Sequence, residues 1–224
     1  MWRRGSQRRR VARLDNATNC RRLVPDSDFG PERVWVLPWP QQLSTGRRPD
    51  RARAPAALLR HDQRSLPVVI LIHGAGADET QWPDVGATTV ADRLVKDGSI
   101  APNILVMPSV GESTGNDEAA FVADQVVPFI DSKFRTIPDA AHWAVGGISR
   151  SGGAALRAVS EHPELFSVVG GHSPATGGDT PAIVDGLRAN SGRIWLDVGN
   201  EDSLVSTTTL LARLLATDGT DAKL

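Results

Sequence analysis

Residues 143–153 place a serine, Ser149, at the tip of a small-residue turn, between the apolar run Trp143, Ala144, Val145 and a stretch of helix formers at 154–159. A serine on such a strand–turn–helix can act as a nucleophile, because the sharp turn lifts its hydroxyl clear of the backbone. The turn needs small flanks, since a side chain two positions away would collide with the neighbouring strand or helix. The full pattern is Gly-x-Ser-x-Gly, and two registers compete for it. Ser149 is flanked by Gly147 and Ser151, whereas Ser151 is flanked by Ser149 and Gly153. The strand and paired glycines that lead into Ser149 favour that register, with Ser151 as the alternative. A glycine-rich turn that binds phosphate or only packs tightly is the competing structural reading.

Attack on a carbonyl also requires a base for the serine proton and N–H donors for the developing oxyanion. The N–H of Arg150, directly after the nucleophile, is one candidate donor. The loop after residues 68–72 begins His73, Gly74, Ala75, Gly76, and Ala75 is the candidate for the second. His73 is expected to shape that loop through hydrogen bonds to nearby backbone. Residues 195–202 offer three carboxylates. Asp197 is expected inside a strand and Glu201 toward solvent, which leaves Asp202 best placed to orient an imidazole. Capping the helix that begins near Leu204 is an equal reading for Asp202. The five histidines, His61, His73, His142, His162 and His172, all precede these carboxylates. His172, at the end of the strand expected beside the serine turn, is the possible alternative base, with a structural role the stronger expectation.

Positioning these groups requires strands that alternate with helices. Residues 68–72 and 104–107 are continuous apolar runs, the pattern of parallel strands buried on both faces. Further strands are expected at 143–145, 166–171 and 193–198, and helices at 88–96, 117–134, 181–189 and 204–215, with Pro128 bending the second helix. This is an α/β order with a mainly parallel sheet.

The 224 residues allow one sizeable core. Residues 1–65 hold fifteen Lys/Arg against six Asp/Glu, and the remainder ten against twenty, so an acidic body carries a basic N-terminal arm. The chain reads as a basic, poorly ordered arm over 1–30, a degenerate first strand and irregular Arg/Pro-rich loop over 31–64, and the α/β domain over 65–224. The single cysteine, Cys20, excludes an intrachain disulfide, and scattered histidines give no metal-ligand spacing, so neither metal nor cofactor is implied. Charged and polar residues interrupt 11–24, so no signal-peptide core is present, and no run reaches bilayer-spanning length. A cytoplasmic location is the expectation for the sequence as written, without excluding export of a longer relative. The arm lacks aromatic interleaving or a recognition-helix pattern, so nucleic acid is not an expected partner.

Several segments together resemble the putative esterase family of α/β-hydrolases, which includes enterochelin esterases, S-formylglutathione hydrolases and feruloyl esterases. They are residues 71–74 followed by Gln81 and Trp82, residues 102–108, the turn 146–150, residues 162–166 with 172–174, and residues 197–204. The resemblance covers roughly 65–217. It implies a three-layer α/β/α sandwich and a carboxylic-ester hydrolase working through an acyl-enzyme on Ser149. It also implies a small-molecule or glycan-linked ester substrate, and it places the family's acid on Asp202. The family's histidine follows the acid on a loop after one more strand, and this sequence has no histidine after His172. The resemblance therefore implies a truncated member, its last strand and histidine loop missing, with reduced or absent activity. A non-catalytic ligand-binding remnant of the same fold is the alternative. Neither the acyl and alcohol specificity nor the oligomeric state follows from the sequence.

Overall fold

The structure, a computed structural model, describes residues 21–23, 34–37, 65–110, 115–189, 192–217 and 222–223. Cys20, His61, the irregular stretch 39–64 and most of the arm lie outside the described residues.

The chain forms an α/β sandwich on an eight-stranded sheet of order β1-β2-β4-β3-β5-β6-β7-β8. Strands β3 (Val68–Ile72), β4 (Ile104–Pro108), β5 (Trp143–Ile148), β6 (Val168–His172), β7 (Arg193–Asp197) and β8 (Ala222–Lys223) run parallel. The apolar runs at 68–72 and 104–107 become adjacent strands, and every residue of β4 is buried. Two strands extend the β4 edge antiparallel: β2 (Val34–Leu37) pairs with β4, and β1 (Arg21–Leu23) pairs with β2. The segment read as a degenerate first strand thus supplies a sheet edge, whose free backbone groups pair with β1 from within the arm. At the opposite edge, β8 pairs with β7 over two residues, where no further strand was expected.

The connecting helices are α1 (Gln81–Asp84), α2 (Ala87–Lys96), α3 (Gly115–Phe121), α4 (Val127–Lys133), α5 (Arg150–Glu161), α6 (Thr180–Ala189) and α7 (Val205–Ala216). Where one bent helix was expected over 117–134, α3 and α4 are joined by a π-helical turn, Val122–Val126. Pro128 lacks the N–H that would continue the α ladder, and the wider turn absorbs the mismatch. It also rotates the buried face: Phe121, Val122, Val126 and Ile130 are buried, but Gln125 is exposed.

The main core cluster lies on one face of the sheet. Ile70, Val145, Val169 and Leu196 point from successive strands into a cluster with Leu156 and Val159 of α5, Ile183 and Leu187 of α6, and Leu211 and Leu215 of α7. The strand order reverses direction at β3: β4 lies on one side of it and β5 on the other. In open parallel sheets such a switch point leaves a crevice at the carboxyl ends of the strands, where ligands bind. The His73 loop leaves β3 at that point, and the Ser149 turn leaves β5 beside it.

Candidate active site

Ser149 has φ 58° and ψ −121°, a conformation that L-residues rarely hold. The surroundings enforce it. The Ser149 N–H donates to the carbonyl of His172 (2.8 Å), and its own carbonyl accepts from the N–H groups of Ala175 (2.9 Å) and Gly153 (3.2 Å). The turn closes only because its flanks lack side chains. A Cβ on Gly147 would lie 2.2 Å from the Ser151 carbonyl oxygen, and one on Gly153 would lie 2.1 Å from that of Ala175. Strand β5 thus delivers the serine, β6 holds its backbone, and α5 begins directly after it.

Ser151, the other register, is placed differently. It is fully buried in the first turn of α5, with its Oγ 2.5 Å from the His73 carbonyl and 2.7 Å from Oε2 of Glu118. Its hydroxyl is engaged in the interior and offers no surface to a substrate.

The loop after β3 is held from several sides. Gln81 Oε1 accepts the N–H of Gly74 (2.7 Å), and the Gly74 carbonyl accepts the N–H of Ala77 (3.2 Å). Ala75, between these anchors, is exposed. His73 is 1% exposed, and both ring nitrogens are committed. Nε2 accepts the N–H of Val110 (3.1 Å), so the ring proton sits on Nδ1, which donates to the Gly74 carbonyl (2.9 Å). A neutral histidine satisfied in this way shapes the loop.

The carboxylates separate into two arrangements. Asp202 Oδ1 accepts the N–H of Leu204 (2.8 Å), and Oδ2 accepts the hydroxyl of Ser173 (2.8 Å). Its carboxyl is held below the usual aspartate value, chiefly by the Leu204 N–H and then by the Ser173 hydroxyl. It therefore ties the entry of α7 to the segment after β6, and none of its hydrogen bonds comes from a histidine. Asp197, expected inside the strand, instead ends β7 and is half exposed. Its Oδ2 lies 2.7 Å from Nδ1 of His172, its register partner at the end of β6. The ring of His172 meets Trp82 edge-on at 5.2 Å between centroids, and its Nε2 lies over Gly170, back along the strand. His142 precedes β5 and His162 follows α5, so both sit at the opposite end of the sheet from Ser149. The structure thus brings Ser149, Arg150 and the backbone of His172 together. The imidazole of His172 is paired with Asp197, not Asp202.

Reading the sequence missed Glu118, which is completely buried and sets its Oε1 against Nε of Arg150 beneath the turn. The signal was present: Glu118 stands three and four residues before Phe121 and Val122 on the apolar face of its helix, where a carboxylate needs a partner. Among the described residues no group of three His, Cys, Asp or Glu side chains could hold a metal ion, and no helix is long and apolar enough to cross a membrane.

A sequence model of the putative esterase family matches residues 53–222, most of the chain. The chain belongs to that family. An endo-1,4-β-xylanase/feruloyl esterase of Xylanibacter ruminicola is 32% identical over 124 residues, which cover 50% of this chain and 17% of that one. An uncharacterised protein of Corynebacterium glutamicum is 28% identical over 168 residues, 68% of this chain and 39% of that one. The chain therefore spans well under half the length of either relative. Among solved structures, a ferulic acid esterase superposes with TM-score 0.66 at 20% identity, covering 86% of this chain and 82% of the other. An S-formylglutathione hydrolase from Staphylococcus aureus gives TM-score 0.63 at 13% identity, covering 86% and 80%. These similarities show the α/β-hydrolase fold of the family.

Proposed function

We propose that this esterase-family chain is a serine carboxylic-ester hydrolase by architecture. Ser149 forms the acyl-enzyme, the N–H groups of Arg150 and Ala75 receive the oxyanion, and Asp202 occupies the place of the family's acid. The observation that carries the reading is the backbone of Ser149. A non-glycine residue at φ 58° between a buried strand and a helix is costly, and the cost has a purpose when the side chain must stand free at the sheet's carboxyl edge. The substrate is a small-molecule or glycan-linked ester, in keeping with the feruloyl and ferulic acid esterases among its relatives.

Turnover by this chain is reduced or absent. A serine hydroxyl without a base keeps its proton at neutral pH, and losing a triad member costs about four to six powers of ten in rate. Residues 173–224 contain no histidine, and Asp202 spends its hydrogen bonds on Ser173 and Leu204. That same engagement of Asp202 favours, as the second reading, a ligand-binding protein that retains the cleft without the chemistry.

Intact-mass detection of a fluorophosphonate adduct tests the assignment, with Ser149→Ala and Ser151→Ala measured alongside wild type. Adduct formation retained in Ser151→Ala and abolished in Ser149→Ala supports Ser149 as nucleophile. Labelling lost in Ser151→Ala but kept in Ser149→Ala overturns it. Folded wild type that takes no label, yet melts at higher temperature with phenolic acids or acylated oligosaccharides, supports the binding reading.

A further inference from the structure

The Glu118 carboxyl sits between the two segments that carry the proposed oxyanion donors, and the count of protons there is informative. Ser151 Oγ has one hydrogen and two close oxygen neighbours, the His73 carbonyl at 2.5 Å and Glu118 Oε2 at 2.7 Å. A carbonyl oxygen can only accept, so contact at 2.5 Å places the serine proton between Oγ and the His73 carbonyl. Glu118 Oε2 then faces a lone pair of Oγ, and its approach is attractive only if Oε2 itself carries a proton and donates. The other oxygen, Oε1, lies in close contact with Nε of Arg150. The groups that face Glu118 are Arg150 and Ser151 from α5 and His73 from the end of β3, whose Nε2 accepts the Val110 N–H and whose Nδ1 lies on the Gly74 carbonyl. Burial raises the Glu118 carboxyl above the usual glutamate value, opposed by weaker contributions from Ser151, Arg150 and His73.

We propose that Glu118 is a positioning residue that stays protonated at neutral pH and fixes the spacing of the oxyanion site. The chain of hydrogen bonds runs from its O–H to Ser151 Oγ and on to the His73 carbonyl, two residues before Ala75. Its second oxygen holds the side chain of Arg150. One buried carboxylic acid thereby couples the loop after β3 to the start of α5. The catalytic consequence rests on the hydrolase reading above; the placement of the proton does not.

Glutamine is the discriminating substitution, because its amide reproduces the donor and the acceptor of the neutral acid. Three measurements on the full chain decide the matter. The infrared difference between wild type and Glu118→Gln at pH 7 is expected to show the C=O band of a neutral carboxyl in wild type. Amide hydrogen exchange at 73–76 and 149–152 is expected to accelerate in Glu118→Ala and to return toward wild type in Glu118→Gln. The residual hydrolysis of p-nitrophenyl acetate is expected to fall about tenfold or more in kcat for Glu118→Ala, with KM little moved, as small displacements of reacting groups produce. Glu118→Gln is expected to recover most of that rate. Absence of the neutral-carboxyl band, or a Glu118→Gln variant as perturbed in exchange as Glu118→Ala, overturns the proposal. If the residual rate is the same in Ser149→Ala as in wild type, the hydrolase reading and its catalytic consequence fall together. The band and the exchange pattern still decide where the proton is.

Discussion

Replacing Ser149 by glycine should stabilise the protein while removing its nucleophile. The residue holds φ 58° and ψ −121°, fixed by three backbone hydrogen bonds to the segment 172–175 and to α5, so it cannot relax in place. A non-glycine residue held outside the common regions costs about 1–3 kcal/mol. Glycine removes that cost but loses about 0.5–1 kcal/mol through the greater entropy of the unfolded chain. The net gain lies between about 0 and 2.5 kcal/mol, with a midpoint of about 1 kcal/mol. For a chain of this size each kcal/mol moves Tm by about 2–4 °C, so Ser149→Gly should melt above Ser149→Ala by about 2–4 °C at that midpoint and by at most about 10 °C.

Alanine is the right reference, because both variants lack the hydroxyl and differ only in whether the backbone remains strained. Thermal melts followed by far-ultraviolet circular dichroism measure the difference. Arg157 on α5, paired with Glu161 and Asp179, is an unsuitable control, since its loss removes ion pairs. Val90, 46% exposed on α2, is a better one, and there glycine should melt below alanine by the usual helix penalty of about 1 kcal/mol. If Ser149→Gly melted below Ser149→Ala, as at Val90, the turn would carry no strain and the argument from its backbone would be wrong.

Gly147→Ala should destabilise by about 2 kcal/mol or more, since the new methyl meets main-chain atoms of α5 that cannot rotate away; a midpoint in urea within error of wild type would contradict this. Because burial raises the Glu118 carboxyl, the native state keeps a proton that the unfolded chain releases. Glu118 thus contributes stability that is full below the unfolded value of about 4.3 and lost as pH rises through the folded one. Glu118→Gln should remove that slope from a plot of unfolding free energy against pH, and an unchanged slope would refute the assignment. Asp202 has the opposite sign: its lowered carboxyl contributes stability above the unfolded value that is lost as pH falls through the folded one. Asp202→Asn should therefore flatten the acid limb of the same plot.

What the sequence disclosed and what it withheld follow the range of the interactions involved. Strands β3 and β4 were legible because a parallel strand covered on both faces is an unbroken apolar run, whatever lies beside it. Ser149 was legible because its turn selects small residues within five positions. Strand β1 was not, for three residues containing two arginines acquire a strand conformation only from the edge they meet. The π turn before Pro128 was hidden for a similar reason, since a 3.6-residue pattern tolerates the proline by bending or by widening. The pairing of His172 with Asp197 depends on the register of β6 against β7, segments separated by a helix and two loops. No local spacing encodes that register, so Asp197 read as an interior strand residue and Asp202 as the carboxylate best placed to orient an imidazole. Glu118 could have been found, because a carboxylate on a buried helical face is a conflict visible in the sequence.

The remaining question is whether any base serves Ser149 within these residues, and the pH dependence of the residual rate answers it. His172 is near in the chain of contacts, since its carbonyl holds the Ser149 N–H. Its imidazole is committed elsewhere, with Nδ1 on Asp197, an edge against Trp82, and Nε2 lying back over Gly170 rather than toward the strand ends. A hydroxyl without a base reacts through its alkoxide, whose concentration rises about tenfold for each unit of pH below its own ionisation. Ester hydrolysis dependent on Ser149 should therefore increase log-linearly through neutral pH with a slope near one. A general base would instead produce a rise that levels off once the imidazole is neutral. A plateau that disappears in His172→Gln would show that the ring turns from Asp197 to the serine during reaction, and that this chain carries its own base on β6. A slope of one throughout would mean that the strained serine and its oxyanion donors act alone, which is what the arrangement of these side chains leads us to expect.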